Sequence, residues 1–241
     1  VGSEMCIRDS DYTVDMPAWI TGEKVKEGYN FTLTENTTGN ARKGTVIFKS
    51  QKGTKEITFV QFGVNDIAGT YEATYSTFGE GDDWVSETVK IELLQDEENE
   101  AVFYADGLSS IRGVVLPLKF DGETYQLSAL NGQYLGFIES QKWYLYTIVR
   151  SEAGYVHADT SLFYPAIAEL DVDDEELMPF FPFKDKKGFS FTGETGTIKS
   201  FIDAIGVYVF ASKSPTFGNN NNLGYYDIFK GLSIKKIKAD H

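Results

Sequence analysis

Two histidines are the first residues to consider, because histidine is the side chain that most readily exchanges protons near neutral pH. His241 is the final residue of the sequence, and His157 lies in Tyr155-Val156-His157-Ala158-Asp159, which reads as a strand. A nucleophilic triad would have to use His157, with Asp159 to orient the ring. No Gly-x-Ser-x-Gly sequence supplies a serine nucleophile. We therefore expect a structural or surface histidine.

Carboxylates are the second source of chemistry, because glycoside hydrolysis needs only two acids that face each other. The chain has 36 acidic residues, so close pairs are inevitable, and no pattern singles one out. We expect no catalytic site and keep a carboxylate-based glycoside hydrolase as an alternative.

Acidic clusters also suggest calcium, a hard cation that prefers oxygen ligands. One cluster is Glu80, Asp82 and Asp83 in a glycine-bearing loop, and the other spans Asp171 to Glu176. Neither has the spacing of an EF-hand, so a solvated run of charge is the expectation for both. We predict no cofactor and no metal, with calcium as the one ion to test.

Aromatic side chains are the remaining resource, since sugar rings stack their C–H faces on flat tryptophan and tyrosine surfaces. Most aromatics in any fold build the core. Those beside loops have the best prospect of exposure, which favours Trp84, next to Asp83, and Tyr225, after the asparagine-rich loop. The predicted ligand-binding residues are Trp84, Trp143, Tyr146, Tyr225 and Tyr226.

Composition excludes several classes of partner. The 241 residues carry a formal net charge of −14, which repels nucleic-acid phosphates and anionic lipid headgroups. Cys6 is the only cysteine, so an intramolecular disulfide cannot form. No apolar run approaches the ~20 residues of a membrane-spanning helix. We expect membrane attachment only through an amino-terminal lipid anchor that this sequence lacks.

Residues 1–10, Val-Gly-Ser-Glu-Met-Cys-Ile-Arg-Asp-Ser, differ in texture from the rest of the chain. They show neither strand alternation nor turn signals, and they resemble translated sequencing-adapter read-through. We predict that this segment is an artefact, that Cys6 has no role, and that a signal segment has been lost.

Residues 11–63 read as short strands. Tyr29, Phe31 and Leu33 alternate with polar residues, and Lys52-Gly53-Thr54-Lys55 predicts a hairpin turn. The order of the key residues resembles a BACON domain, an immunoglobulin-like β-sandwich of gut-anaerobe surface proteins. The matching positions are Trp19, Asn36, Arg42, Gly44, Gln61 and Gly63. The resemblance implies a module without its first strands, for which carbohydrate or mucin binding and a spacer role are both proposed.

Residues 64–241 read as a second, antiparallel β-domain. Strand signals recur every 8 to 12 residues with turn residues between them, which is typical of a barrel or sandwich. Trp143 to Val149 is apolar on both faces and predicts a central strand, and Lys199 to Ala204 predicts a short helix. Strands are expected at Tyr225 to Phe229 and Leu232 to Ile237. The domain resembles uncharacterised β-domains that follow BACON modules in surface lipoproteins, some of them lipocalin-like.

The sequence thus predicts an all-β fold: a truncated immunoglobulin-like β-sandwich and a larger antiparallel β-barrel or sandwich. It favours a bacterial cell-surface or secreted protein that binds or presents glycan without catalysis. The main alternative is a structural or protein-interaction module with no small ligand, which predicts buried aromatics and an exposed apolar patch or strand edge.

Overall fold

The computed structural model describes residues 12–26, 28–36, 41–80, 83–152, 156–157, 166–172, 177–184, 189–193, 196–215 and 220–238. The adapter-like segment 1–10, with Cys6, lies outside them. The chain is all-β, which confirms the predicted fold class, and its largest sheet is antiparallel and strongly curled. It divides into two compact units, residues 1–66 and 67–241. In the described part of the chain, no helix has the length and apolar character needed to cross a membrane.

Unit 1 is a small sandwich. Its strands are β1 Tyr12–Asp15, β2 Ile20–Val25, β3 Gly28–Leu33, β4 Arg42–Ser50 and β5 Gly53–Gln61. A three-stranded sheet in the order β1-β4-β5 and the hairpin β2-β3 enclose one apolar core. The alternation predicted for β3 places Tyr29 and Phe31 against Phe48, with ring centroids 5.4 and 6.2 Å away. A 3-10 turn at Val64–Asp66 follows the last strand.

The residues that suggested the BACON resemblance interlock around Trp19. The Arg42 guanidinium lies 4.5 Å from the centroid of the Trp19 ring. Its Nε and Nη2 donate to Gln61 Oε1 at 2.9 and 2.8 Å, and Nη2 also donates to the Thr34 carbonyl at 2.6 Å. Gly44 lies beneath the indole, where a Cβ would come within 2.6 Å of Trp19 Cζ2. The spacing Arg-x-Gly therefore has a packing reason in this fold.

Unit 2 contains fifteen strands among its described residues. They are β6 Gly69–Phe78, β7 Trp84–Gln95, β8 Val102–Asp106, β9 Leu116–Asp121, β10 Gln126–Ala129, β11 Tyr134–Ile138, β12 Trp143–Ser151, β13 Val156–His157, β14 Ala166–Glu169, β15 Asp171–Val172, β16 Pro179–Pro182, β17 Phe189–Gly193, β18 Gly196–Ser200, β19 Ile202–Phe210 and β20 Asn222–Lys236. These strands pair with one another in antiparallel fashion.

Eight stretches of strand pair in a closed ring. The path runs β20-β6-β7-β8-β9-β10-β14, and the adjoining strands β14 and β15 then face β16. The bridge Ala168 to Phe183 and the pairs Asp171 to Phe180 and Val172 to Pro179 share one register. Since β16 also pairs with β20 through Phe181 and Ile234, the ladder returns to its starting strand.

The inside of this ring, which we call the barrel, is filled by alternate residues. Each strand contributes its inward positions, as a half-buried strand pattern requires. The buried side chains include Tyr71, Ala73, Ile91, Leu93, Phe103, Ala105, Leu116, Leu118, Phe120, Leu127, Ala129, Ala168, Phe181, Leu232 and Ile234.

A second part of the same sheet, which we call the extension, continues from the first half of β20. It consists of β19, β12 and β11, in that order, and of β13 beside β12. Leu145 to Val149 are all buried, which confirms the predicted central strand covered on both faces. Aromatic residues dominate one face of the extension: Tyr146, Tyr208 and Phe210 form one buried cluster, with Tyr144 and Tyr225 packed against it.

Two local predictions for unit 2 were wrong. The predicted helix at Lys199 to Ala204 is the end of β18 and the start of β19, because the β-branched run that follows is buried on both faces of the sheet. The two strands predicted at Tyr225 to Phe229 and Leu232 to Ile237 are one strand, β20. Gly231, with φ of 63°, accommodates a register shift between Lys230 and Ser233 and does not end the strand.

Candidate functional site

Two clefts meet at Lys230 and Gly231, where β20 passes from the extension into the barrel. The first has a volume of about 550 Å³ and is lined by Glu152, Phe201, Asp203 and parts of β16 and β20. The second has a volume of about 630 Å³ and is lined by Trp84 and by the hydroxyl side chains of Thr74, Ser76, Ser86 and Thr88. Lys230 lines both clefts, and its ammonium group lies near Asp203 of the first cleft and Trp84 of the second.

A buried carboxylate faces two cations at this junction. Arg150 and Lys230 come from strands on opposite sides of β19, and each is aligned with Ala204, next to Asp203. Arg150 Nη1 lies 3.4 Å from Asp203 Oδ2, and Lys230 Nζ lies 3.7 Å from the same oxygen. The Asp203 side chain is only 10% exposed. Side chains from three neighbouring strands therefore form a group of three charges at the junction of the clefts.

Asp203 is incompletely satisfied. Its Oδ1 is buried and has no hydrogen-bond partner among the described residues. Burial raises the pKa of this carboxyl above its usual value, while Arg150 and then Lys230 oppose the shift. Glu152, which lines the same cleft, raises this pKa further. The carboxylate hydrolase requires such a pair of acids in one cleft, and it stays a prediction.

Tyr225 presents a second unsatisfied polar atom. Its ring lies across Gly206, where a Cβ would come within 3.0 Å of Tyr225 Cδ1, so the small residue lets the ring lie on the sheet. The Tyr225 hydroxyl is buried without a hydrogen-bond partner in the described part of the chain. Burial raises its pKa well above the usual value, with the Arg150 charge opposing the shift. The hydroxyl is therefore protonated and can donate.

Trp84, the first residue of β7, lies against both cations of the junction. The Lys230 ammonium lies 4.6 Å and the Arg150 guanidinium 5.2 Å from the centroid of its ring. Phe78 packs against the same indole at 4.6 Å, and Phe78 also contacts Tyr225 at 6.5 Å. Cations over an indole are attracted by its quadrupole, so Trp84 helps to hold both charges. Much of its ring is thus in contact with protein groups.

The structure separates the five predicted ligand-binding residues into three places. Trp84 lines the second cleft at the Lys230 junction. Tyr225 packs against Phe78 and against the buried cluster that contains Tyr146, so it does not have the exposure expected beside a loop. Trp143 and Tyr226 contact each other at 6.2 Å, and Tyr226 is exposed. Tyr146 is buried, and its hydroxyl donates to the Lys213 carbonyl at 2.5 Å, so its ring belongs to the core and presents no platform to a ligand.

Sequence reasoning missed the three charged residues of the junction. The signal that could have found them was the interruption of strongly apolar strands by single charges: Arg150 after Leu145 to Val149, and Asp203 between Ile202 and Ala204. A charge that folding must bury is costly unless paired, so such positions point to ion pairs or sites. Their meeting depends on the order β12-β19-β20, which residue spacing does not show.

The structure describes only part of the acidic clusters and of the histidine segment considered for calcium or proton transfer. Glu80, Asp83 and Asp171 are exposed, while Asp82 and Asp173 to Glu176 lie outside the described residues. No three metal-binding side chains come together within the described ranges. His157 lies on β13 opposite Val149, and its proposed orienting residue Asp159 is outside the described part.

Comparison of the chain with protein-family models, with curated proteins and with solved structures gives no match.

Proposed function

We propose that the chain is a non-catalytic, cell-surface or secreted carbohydrate-binding protein whose ligand occupies the Lys230 junction. The observation that carries this proposal is the buried Asp203 Oδ1, which has no hydrogen-bond partner among the described residues and whose side chain belongs to the lining of the first cleft. A buried polar atom without a partner costs about 1–3 kcal/mol. A ligand rich in hydroxyl groups would supply the missing donor.

The lining of the second cleft supports a sugar in particular. Ser76, Ser86 and Thr88 offer hydroxyl groups, Glu87 and Lys230 offer charged groups, and Trp84 offers apolar surface. Ligand pockets combine apolar walls with a few convergent polar groups, and sugars need both. A lipid-like ligand, as expected of a lipocalin, fits less well, since the inside of the barrel is occupied by its own side chains.

Unit 1 has a supporting role in this proposal. Its sandwich of two sheets and the interlocking of Trp19, Arg42 and Gln61 are compatible with a BACON-like module. We assign it the role of a spacer between a membrane anchor and unit 2. The proposal therefore includes a location outside the cytoplasm and glycan or mucin as the partner.

A glycan-array screen of the full chain tests the proposal. A saturable hit that Trp84→Ala weakens roughly tenfold or more, with Tyr226→Ala unchanged, would support the junction as the site. Melting temperatures of both variants, with Trp84→Phe as a milder change, separate lost binding from lost folding. A blank array with folded protein would overturn the proposal, and sensitivity to Tyr226→Ala alone would move the site to Trp143 and Tyr226.

A second candidate is the interaction module, favoured by β11. Among the described strands β11 pairs only with β12, and it exposes Tyr134 and Phe137, which are 49% and 42% accessible. An edge strand with exposed aromatic residues can pair with another chain. Light scattering over a range of concentrations tests this: association abolished by Tyr134→Ser with Phe137→Ser would support it, and a monomer at every concentration would exclude self-association.

A further inference from the structure

We infer that the Lys230 junction is built for an acidic sugar, one that carries a carboxylate beside its hydroxyl groups, such as a hexuronic acid. The inference rests on the proposed carbohydrate-binding function and narrows its ligand class. It is carried by the contacts of Arg150, Lys230 and Asp203.

The two cations have unused capacity to bind an anion. Charge-assisted hydrogen bonds between such groups normally measure about 2.7–2.9 Å. The contacts of Arg150 and Lys230 with Asp203 are longer, at 3.4 and 3.7 Å, and both use the same oxygen. A guanidinium has five N–H donors, and only one bond from the Arg150 guanidinium is found within the described residues. A ligand carboxylate could accept from the remaining donors without displacing Asp203.

The polar groups at the junction point to a ligand that both donates and accepts. Asp203 Oδ1 belongs to a side chain that is nine-tenths buried, and a carboxylate oxygen needs a donor. Lys230 lines both clefts, and its ammonium group makes only a long contact of 3.7 Å with Asp203, so it can donate to an acceptor on a ligand. A sugar acid offers a hydroxyl to Asp203 Oδ1 and a carboxylate to Lys230. An inorganic anion such as sulfate offers only acceptors, and a neutral sugar leaves the cations unused.

Charge at the junction contrasts with the charge of the whole chain. The formal net charge is −14, so anions are repelled at long range. Glu87 lines one cleft, Glu152 and Asp203 line the other, and Lys230 lines both. At the junction Arg150 and Lys230 carry two positive charges against the single negative charge of Asp203, so this group has a net charge of +1. An acidic sugar that binds this protein must use that place.

Calorimetric titration of the full chain with matched sugars tests the inference. The ligands are oligosaccharides of glucuronate and the corresponding oligosaccharides of glucose. We expect the acidic series to bind at least about tenfold more tightly. Arg150→Gln and Lys230→Gln should each weaken it roughly tenfold to a hundredfold, the range expected for one hydrogen bond to a charged group. Arg112→Gln and Lys119→Gln, at exposed positions of the same unit, serve as matched controls and should bind as the parent does.

The outcomes separate this inference from the function on which it rests. Lys230 is 38% exposed, so Lys230→Gln should fold even if Arg150→Gln does not. Equal affinity for acidic and neutral sugars, unchanged by either substitution, would overturn the inference and leave the carbohydrate-binding proposal standing. Competition by inorganic sulfate as effective as that by glucuronate would also overturn it, since the hydroxyl groups would then add nothing. Absence of binding to any sugar by folded protein would overturn both.

Discussion

Each unit of the molecule contains a tryptophan with an arginine over its ring, and the two pairs differ in how well the arginine is satisfied. In unit 1 the Arg42 guanidinium lies 4.5 Å from Trp19 and donates to Gln61 and Thr34 at 2.6 to 2.9 Å. In unit 2 the Arg150 guanidinium lies 5.2 Å from Trp84 and makes one contact with Asp203 at 3.4 Å.

This difference indicates that the Arg42 group has a structural role, as a scaffold, and that the Arg150 group belongs to a binding site. Around Arg42 the Nε and Nη2 donors already have acceptors, and Gln61 also donates to the Thr34 carbonyl at 3.0 Å. Around Arg150 a buried carboxylate oxygen and a buried hydroxyl remain without partners in the described residues. Since only the second arrangement contains a buried acceptor without a donor, we expect only the second to gain free energy from a ligand.

We expect Arg42→Ala to have the largest effect on stability. It removes the donors that serve Gln61 Oε1 and the Thr34 carbonyl, and it should lower the free energy of unfolding of unit 1 by roughly 2–3 kcal/mol. Calorimetric unfolding of the full chain measures the loss. Arg150→Ala is the paired variant and should cost less, about 1–2 kcal/mol, because Lys230 still faces the buried Asp203. Equal losses at the two positions would contradict the distinction between scaffold and site.

Gly44→Ala tests the scaffold from the other side of the indole. The new methyl group would lie 2.6 Å from Trp19 Cζ2 and 2.7 Å from Pro17 Cγ. Neither ring can move without disturbing the core, so the free energy of unfolding should fall by about 1–3 kcal/mol. Gly28→Ala is the control, since nothing lies within 4 Å of the added atom. Chemical denaturation of both variants should show a loss for Gly44→Ala alone.

Replacing each arginine by lysine gives a finer comparison of the Arg42 and Arg150 groups. Lysine keeps the charge and loses the planar fork, so Arg42→Lys should cost about 1–2 kcal/mol through lost hydrogen bonds. Arg150→Lys should change stability by less than about 0.5 kcal/mol, because a single long contact is lost. The expected cost appears instead in the affinity for glucuronate oligosaccharides. An intact affinity in Arg150→Lys would show that charge alone suffices at the junction.

The smallest expected effect is a change of stability with pH that results from the titration of Asp203. Burial holds its pKa above the usual 3.8, so the folded protein binds this proton at a higher pH than the unfolded chain does. The stabilisation that comes from protonating Asp203 is therefore fully present below pH 3.8. It is lost as the pH rises through the pKa of Asp203 in the folded protein. Melting temperatures of the parent, relative to Asp203→Asn, should rise on acidification. A difference that stays constant with pH would show that Asp203 titrates as in the unfolded chain.

The sequence was sufficient for the fold class because the relevant signals are local. Alternation at Tyr29, Phe31 and Leu33 predicts a half-buried strand, and the apolar run ending at Val149 predicts a covered one. The helix predicted at Lys199 to Ala204 was wrong because burial of β19 on both faces overrides the local spacing. A sheet whose two faces are both covered lacks the alternation of apolar and polar residues by which a strand is recognised.

The site was harder to predict because it is assembled from distant strands. Trp84 and Tyr225 were expected for their exposure beside loops, yet what brings them together is Phe78, which contacts both. Arg150, Asp203 and Lys230 come from three neighbouring strands that are far apart in sequence. The sequence marks these residues as charges within apolar strands, but their proximity depends on which strands pair.

Strand β20 belongs to both the barrel and the extension, and this has a consequence for the synthesis of the protein. This strand pairs with β19, β6 and β16, and the hydroxyl groups of Thr74 and Ser233 meet at 2.7 Å across 159 residues of sequence. A ribosome adding about 5–20 residues per second needs roughly 8–30 s to cover that distance. Throughout this interval β6 has an open edge, and neither the barrel nor the Lys230 junction exists. The nascent chain therefore needs protection from association with its neighbours until β20 emerges.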